Sequence, residues 1–246
     1  MTWCPGCYNF FVLKSFQEAV SEIPKENVAI VSGIGCHAKI FDYVDFKGIN
    51  TLHGRVLPTC LGMKVGNPEL NIFGFSGDGD AYAEGMEHLI HTARYNPNIN
   101  YFVHNNRVFA LTVGQPTPTT EAGYTDKTTP KGVKTSALNP IALMLSAGAT
   151  FVARVDGSDL KQMKEVFEEA IKHKGFSFVE ILQPCLIFHN TPYKDKIYKL
   201  EEHNKGNFEE AMKKAREFDY SKVGEKIPTG IFYQEEREVF EEVVRE

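Results

Sequence analysis

Residues 70–106 read LNIFGFSGDGDAYAEGMEHLIHTARYNPNINYFVHNN, and the order of patterns within them decides the fold. The run LNIFGFS (70–76) is almost continuously apolar, as a strand covered on both faces must be. Next, AYAEGMEHLIHTARYN places Tyr82, Met86, Leu89, Ile90 and Ala93 at helical spacing and stops at Asn96-Pro97. NINYFVHN (98–105) is again strand-like. Strand, helix and strand in that order form a crossover unit, which joins parallel strands.

The same alternation extends outward. NVAIVSG (27–33), TFVARV (150–155) and SFVEILQ (177–183) read as further strands. Between the last two, SDLKQMKEVFEEAIKHK offers Ser158 as a cap, a stripe of Leu160, Met163, Phe167, Ala170 and Ile171, and a stop at Gly175. The pattern predicts an α/β fold with a mostly parallel sheet and helices on both faces. Residues 114–140, rich in Pro, Thr, Gly and Lys without apolar period, read as a long loop of the kind that is mobile or functional. Beyond about 187 the chain is more charged and ends in the helix-like EEREVFEEVVRE. Two regions are expected: 1–190 as the binding domain, and 191–246 as a peripheral extension that contacts another subunit.

Composition narrows the function classes. With 246 residues, 42% of them hydrophobic, the chain can bury one large core. Its 27 Lys+Arg against 32 Asp+Glu leave no basic surplus, so nucleic acid is not an expected partner. No window approaches the uninterrupted apolar length of a membrane span, and the N-terminus lacks the pattern of a secretory signal. A cytoplasmic protein is expected, with no membrane partner.

The stretch SGDGD stands where the strand LNIFGFS ends. In an open parallel sheet that edge collects ligands, helped by the N–H groups of the following helix. Gly77 and Gly79 let the backbone approach an anion, but Asp78 would repel a phosphate unless a cation intervened. Asp78 therefore implies a divalent metal, for which Mg²⁺ with its preference for oxygen ligands is the natural choice. The next strand ends in Asn105-Asn106, with 25 residues between Gly79 and Asn105, the length of one helix and one strand. Both turns should reach the same edge. Two unrelated turns would be the plainer account.

Cysteines fall at 4, 7, 36, 60 and 185. Cys4 and Cys7, two residues apart, suit Zn²⁺ or an iron–sulfur cluster better than a disulfide. Further ligands would come from Cys36 and Cys185, each of which follows a strand. Ligands spread over the whole chain are unusual for structural zinc, although zinc and inert thiols stay open on spacing alone.

The pairing of GDG with NN resembles the thiamine diphosphate motif. That resemblance implies Mg²⁺ held by Asp78, the side chain of Asn106 and the carbonyl of Val108, with Gly77, Gly79, Asp80, Ala110, Leu111 and Thr112 at the cofactor. More widely, WCPGCYN, SGIGCHAKI, HGRVLPTCLGMK, HNNRVFALTVGQ and QPC look like the β subunit of 2-oxoacid:ferredoxin oxidoreductases, over residues 3 to about 190. The resemblance implies a thiamine-diphosphate-binding fold and a [4Fe–4S] cluster on Cys4, Cys7, Cys36 and Cys185, with Cys60 left over. Ile34, Gly35, Cys36 and His37 would touch the cofactor, and Lys39, His53, Arg55 and Val113 would lie near substrate. His37 and Val113 depart from the residues common there, a small side chain such as serine and a glycine or lysine.

The implied reaction is oxidative decarboxylation of a 2-oxoacid with coenzyme A, giving acyl-CoA and CO₂ and passing electrons through the cluster to ferredoxin. The activating glutamate would come from an α subunit, in an (αβ)₂ assembly. A non-redox thiamine-dependent decarboxylase subunit would leave four cysteines unexplained. A non-catalytic iron–sulfur module would leave the GDG and NN turns unexplained.

Overall fold

The structure, a computed structural model, describes residues 2–190, 195–222 and 226–245. Helix α1 (Asn9–Ala19) precedes strands β1 (Val28–Ser32) and β2 (Lys47–Asn50), and α2 (Val56–Gly66) precedes β3 (Asn71–Gly77). Helix α3 (Met86–Tyr95) then crosses to β4 (Ile99–Asn105). A short hairpin of β5 (Val108–Phe109) and β6 (Gln115–Pro116) leads to α4 (Pro140–Ala147), β7 (Phe151–Asp156), α5 (Leu160–Lys172) and β8 (Phe176–Leu182). Strand β9 (Ile197–Lys199), α6 (Phe208–Ala215), β10 (Ile227–Gln234) and α7 (Phe240–Val243) follow.

Among the described residues, eight strands form one sheet in the order β2-β1-β3-β4-β8-β7-β10-β9. All neighbours are parallel except β10, which runs antiparallel to β7. Alternation along each strand divides the core in two. Ala29, Val31, Tyr101 and Val103 face the layer of α2, α3, α4 and α6, where Leu57, Leu89, Met144 and Ala211 pack. Val28, Ile30, Phe73, Phe75 and Phe102 face α1 and α5, packed by Phe16, Met163 and Phe167. The expected layering, with helices on both faces, is what forms.

Some local expectations are corrected. The cap of α5 is Asp159, whose carboxylate accepts from Gln162 N–H, whereas Ser158 hydrogen-bonds Asp156 just before the helix. The helix expected over 81–96 is broken. A π-type turn spans Asp80–Glu84, Gly85 packs its backbone on that of Gly54, and α3 starts only at Met86. Ile90, placed on the apolar stripe, is exposed. Of EEREVFEEVVRE only Phe240–Val243 is helical; Glu246 lies outside the described residues.

The boundary expected at 190/191 does not interrupt the sheet, because β10 bonds directly to β7. Described parts of the C-terminal segment thus add β10 and β9 to one edge of the sheet; residues 191–194 and 223–225 are outside the described set.

Register fixes the site. Gly77 pairs with His104, and Asn105 with Leu182, so β3, β4 and β8 end at one level. Gly77-Asp78, Asn105-Asn106 and the segment to Cys185 consequently leave the sheet along one edge, joined by the turn after β1.

Candidate functional site

Two clefts open along this edge. The first, about 460 Å³, is lined by Ile34, Gly35, Cys36 and His37 after β1, His53 before α2, and Gly77 to Asp80 after β3. Asn106, Val108, Phe109 and Ala110 to Thr112 close it from the turn after β4. The second, about 510 Å³, is lined by Cys4, Cys7, Cys36 and Cys185 together with Trp3, Asn9, Lys39 and Gln183. Cys36, Asn106 and Ala110 line both, so the clefts share a wall.

Asp78 is buried. Its Oδ2 accepts from Thr117 Oγ1 at 2.5 Å and Thr119 Oγ1 at 2.9 Å, and the Asn106 backbone N–H also reaches the carboxylate. Burial pushes its carboxyl up to about 6 despite those bonds, and no basic side chain among the described residues offsets that cost. A buried carboxylate without a cationic partner suits a bound cation. Asn106 Oδ1 accepts from Val108 N–H at 3.0 Å, which folds the turn so that amide oxygen and carbonyl belong to one tight loop.

Between them Arg107 takes φ 64°, a conformation uncommon for a side-chain-bearing residue. Its guanidinium holds the loop there, donating to Thr119 O at 2.8 Å and to Tyr220 O.

Gly79 is required by contact. A Cβ there would stand 2.2 Å from the Phe109 ring, so the backbone lies flat against the aromatic wall of the cleft. At Gly33 a Cβ would fall 2.0 Å from Asp80 Oδ2, so the missing side chain leaves room for that carboxylate behind the cleft.

Asp80 has its own set of partners. Gly54 N–H donates to Oδ1 at 2.8 Å, His53 Nδ1 lies 2.8 Å from the same oxygen, and His37 Nε2 lies 3.7 Å from Oδ2. Burial raises the Asp80 carboxyl, but His53, His37, Ser76 and Gly54 together bring it below the ordinary value. Hydrogen bonding to Asp80 in turn raises His53, whereas burial lowers His37 to about 4 and His104 to about 3. His37 and His104 therefore stay neutral near pH 7.

Around the second cleft, burial pushes the Cys36 thiol up to about 11 and raises Cys7. Proximity to Cys4 and Cys185 raises both a little further. Among the described residues no three His, Cys, Asp or Glu side chains converge on a single-ion site. The four cysteines line one cleft, and thiolates are the residue type that ligates iron–sulfur clusters. Cys60 is buried in the helix-side core, away from both clefts.

Of the residues expected near substrate, only His53 lines the first cleft. Lys39 lines the cysteine cleft and donates to Thr2 O at 3.0 Å. Arg55 sits at the start of α2 against the carbonyls of Gly54 and Glu84, and Val113 is 64% exposed beyond the cleft rim. Thr117, Thr119 and Phe109 were not anticipated. The only signal for the two threonines is position, in a Thr-rich loop following the NN turn, while Phe109 lies within the quoted stretch HNNRVFALTVGQ without a role assigned to it.

Residues 33–181 match the family described as thiamine pyrophosphate enzyme, C-terminal TPP binding domain, and residues 189–246 match the C-terminal family of the pyruvate ferredoxin oxidoreductase beta subunit. The 2-oxoacid:ferredoxin oxidoreductase subunit beta of Saccharolobus solfataricus is 42% identical, over 95% of this chain and 82% of its own length. The 2-oxoglutarate synthase subunit KorB of Archaeoglobus fulgidus is 38% identical, over 97% and 86%. A solved 2-oxoglutarate:ferredoxin oxidoreductase from Magnetococcus marinus, with 2-oxoglutarate, coenzyme A and succinyl-CoA bound, superposes with a TM-score of 0.92 at 34% identity, covering 99% of this chain and 84% of that one. The first cleft thus lies within a thiamine pyrophosphate-binding domain, and the chain belongs to the β-subunit family of the 2-oxoacid:ferredoxin oxidoreductases.

Proposed function

We propose that this chain, joined to an α subunit, converts a 2-oxoacid and coenzyme A to acyl-CoA and CO₂ and delivers the two electrons to ferredoxin. The observation that carries the reading is the shared wall of Cys36, Asn106 and Ala110 between the thiamine cleft and the four-cysteine cleft. When bound, thiamine diphosphate supplies the nucleophilic carbon and electron sink, Mg²⁺ anchors its diphosphate, and a [4Fe–4S] cluster accepts electrons.

The chain's own residues hold and orient these groups. Asp78, the Asn106 amide oxygen and the Val108 carbonyl would ligate Mg²⁺, with the hydroxyls of Thr117 and Thr119 fixing the carboxylate. Gly77 and Gly79 admit the diphosphate close to the backbone, and Ala110, Leu111 and Thr112 line the cleft opposite. Asp80, 2.8 Å from His53 Nδ1, favours the protonated form of that imidazole at the cleft, the position among the four candidates best placed to meet a carboxylate substrate. Cys4, Cys7, Cys36 and Cys185 would hold the cluster.

Among the acids at the first cleft, Asp78 and Asp80 are already engaged, in keeping with an activating glutamate supplied by the α subunit. Residues 1–190 then carry the cofactors, part of 191–246 contacts the partner, and (αβ)₂ is the proposed assembly. The test is anaerobic purification with the α subunit, followed by measurement of iron, acid-labile sulfide and thiamine and of CoA-dependent dye reduction with a panel of 2-oxoacids. All three components with oxoacid-dependent reduction are expected. A colourless preparation containing zinc would overturn the reading.

A further inference from the structure

Cys7 differs from the other three cysteines in what surrounds its sulfur. Asn9 Nδ2 lies 3.5 Å from Cys7 Sγ, Gln183 Nε2 lies 3.7 Å from it, and the Asn9 backbone N–H is also directed at it. Cys185 Sγ receives one backbone N–H, from Phe188 at 3.4 Å. Among the described residues, neither Cys4 nor Cys36 has a side-chain amide at its sulfur.

An amide can present nitrogen or oxygen, and His104 decides which. Its Nδ1 lies 2.9 Å from Asn9 Oδ1 and 2.9 Å from Gln183 Oε1. A ring nitrogen between two carbonyl oxygens must carry the hydrogen. One Nδ1–H thereby turns both oxygens toward the ring and both NH₂ groups toward Cys7. All three side chains are buried, so exchange with bulk water does not offer an easy alternative orientation. Nε2 of His104 has no hydrogen-bond partner among the described residues. The ring is thus partnered through Nδ1 alone.

The arrangement is a poor way to satisfy two buried amides if Cys7 is a neutral thiol, since thiol sulfur is a weak acceptor. It suits a sulfur that carries negative charge, because hydrogen bonds to charged acceptors are the stronger ones. Cluster thiolates are such sulfurs. One-electron reduction makes them more negative, so N–H donors favour the reduced state.

We propose that Asn9 and Gln183, oriented by His104, are positioning residues that donate N–H···S hydrogen bonds to the Cys7 thiolate and raise the reduction potential of the cluster. This rests on the four-cysteine cluster assigned above. The side-chain donors collect on one of the four sulfurs.

The test uses the αβ complex prepared anaerobically, with the variants Asn9→Leu, Gln183→Leu, the double variant and His104→Phe. Iron and acid-labile sulfide are measured first, then the midpoint potential by titration followed through the EPR signal of the reduced cluster. A wild-type complex without iron and sulfide would defeat the cluster assignment itself. With the cluster loaded, each single variant should titrate at a more negative potential than wild type, the double variant should shift furthest, and His104→Phe should shift in the same direction. Loaded variants with the wild-type potential would overturn the inference and leave the cluster assignment standing. If the variants lose their cluster, the wild-type complex labelled with ¹⁵N only in Asn and Gln side-chain amides decides the matter. Pulsed EPR should show weak coupling from an amide nitrogen to the reduced cluster, and its absence would overturn the inference.

Discussion

The Thr119 hydroxyl stands 2.9 Å from Asp78 Oδ2 and 2.9 Å from Asn105 Oδ1, bridging the turn after β3 to the end of β4. Asn105 Nδ2 in turn donates to Glu180 Oε1 at 2.7 Å, and Glu180 Oε2 accepts from Arg154 Nε at 2.8 Å. A carboxylate at the sheet edge is thus tied to charges in its middle. Replacing Thr119 and Thr117 by valine keeps the volume and removes both hydroxyls. Such outer partners of ligating carboxylates are worth about 10–100-fold in metal affinity. The double variant should bind Mg²⁺ with thiamine diphosphate weaker by that order, measured by calorimetric titration.

Asp78→Ala goes further and removes the proposed ligand. Mg²⁺-dependent thiamine binding should be lost while iron and sulfide content stay at the wild-type level, because the cysteines line the other cleft. Cluster loss with thiamine retained would contradict the assignment of the two clefts.

Gly79→Ala drives a methyl to within 2.2 Å of the Phe109 ring. Relief requires shifting either the ring or the turn, at a cost of about 1–3 kcal/mol. The melting temperature should fall, and pairing the change with Phe109→Leu should recover part of the loss.

Arg154→Met tests the sheet interior. Arg154 and Glu180 are both fully buried, and Tyr220 Oη also donates to Glu180. Leaving Glu180 without its cation should cost about 3–5 kcal/mol, read as a lower midpoint in denaturant unfolding.

His53 sets a pH dependence. Its imidazolium is raised above the ordinary value of 6.5, first by hydrogen bonding to Asp80. That stabilisation is complete below 6.5 and is lost as pH rises through the higher value of the folded protein. The melting temperature of wild type relative to His53→Asn should therefore be greater at about pH 6 than at about pH 9. Asp80, held below 3.8, contributes above that value and loses its contribution as pH falls beneath it.

Much of this architecture was legible in the sequence. Strands β1, β3, β4, β7 and β8 are buried on both faces, so their apolar runs stand out without a neighbour to explain them. Turns at the ends of β3 and β4 could be placed together because one crossover fixes their level. Strand β2 is exposed along its length and carries no such signal, and β10 mixes Pro, Thr and Gly into its run. The Asp78 hydroxyl partners escaped notice since Thr117 and Thr119 come from a loop whose path depends on Arg107 and Tyr220, 113 residues apart. Arg55 and Val113 are near the site in sequence, yet Arg55 is turned toward the Glu84 carbonyl and Val113 outward. Adjacency along the chain does not specify direction.

The cleft formed by Cys4, Cys7, Cys36 and Cys185 also has a consequence for biosynthesis. Cys4 and Cys7 are synthesised before the whole sheet, and Cys185 only after β8 has been made. Until then the early thiols are exposed to oxidants and stray metals without their companions. On the proposed cluster assignment, iron delivery would follow synthesis of the chain through Cys185, and a chain stalled before that residue would lack one of the four ligands.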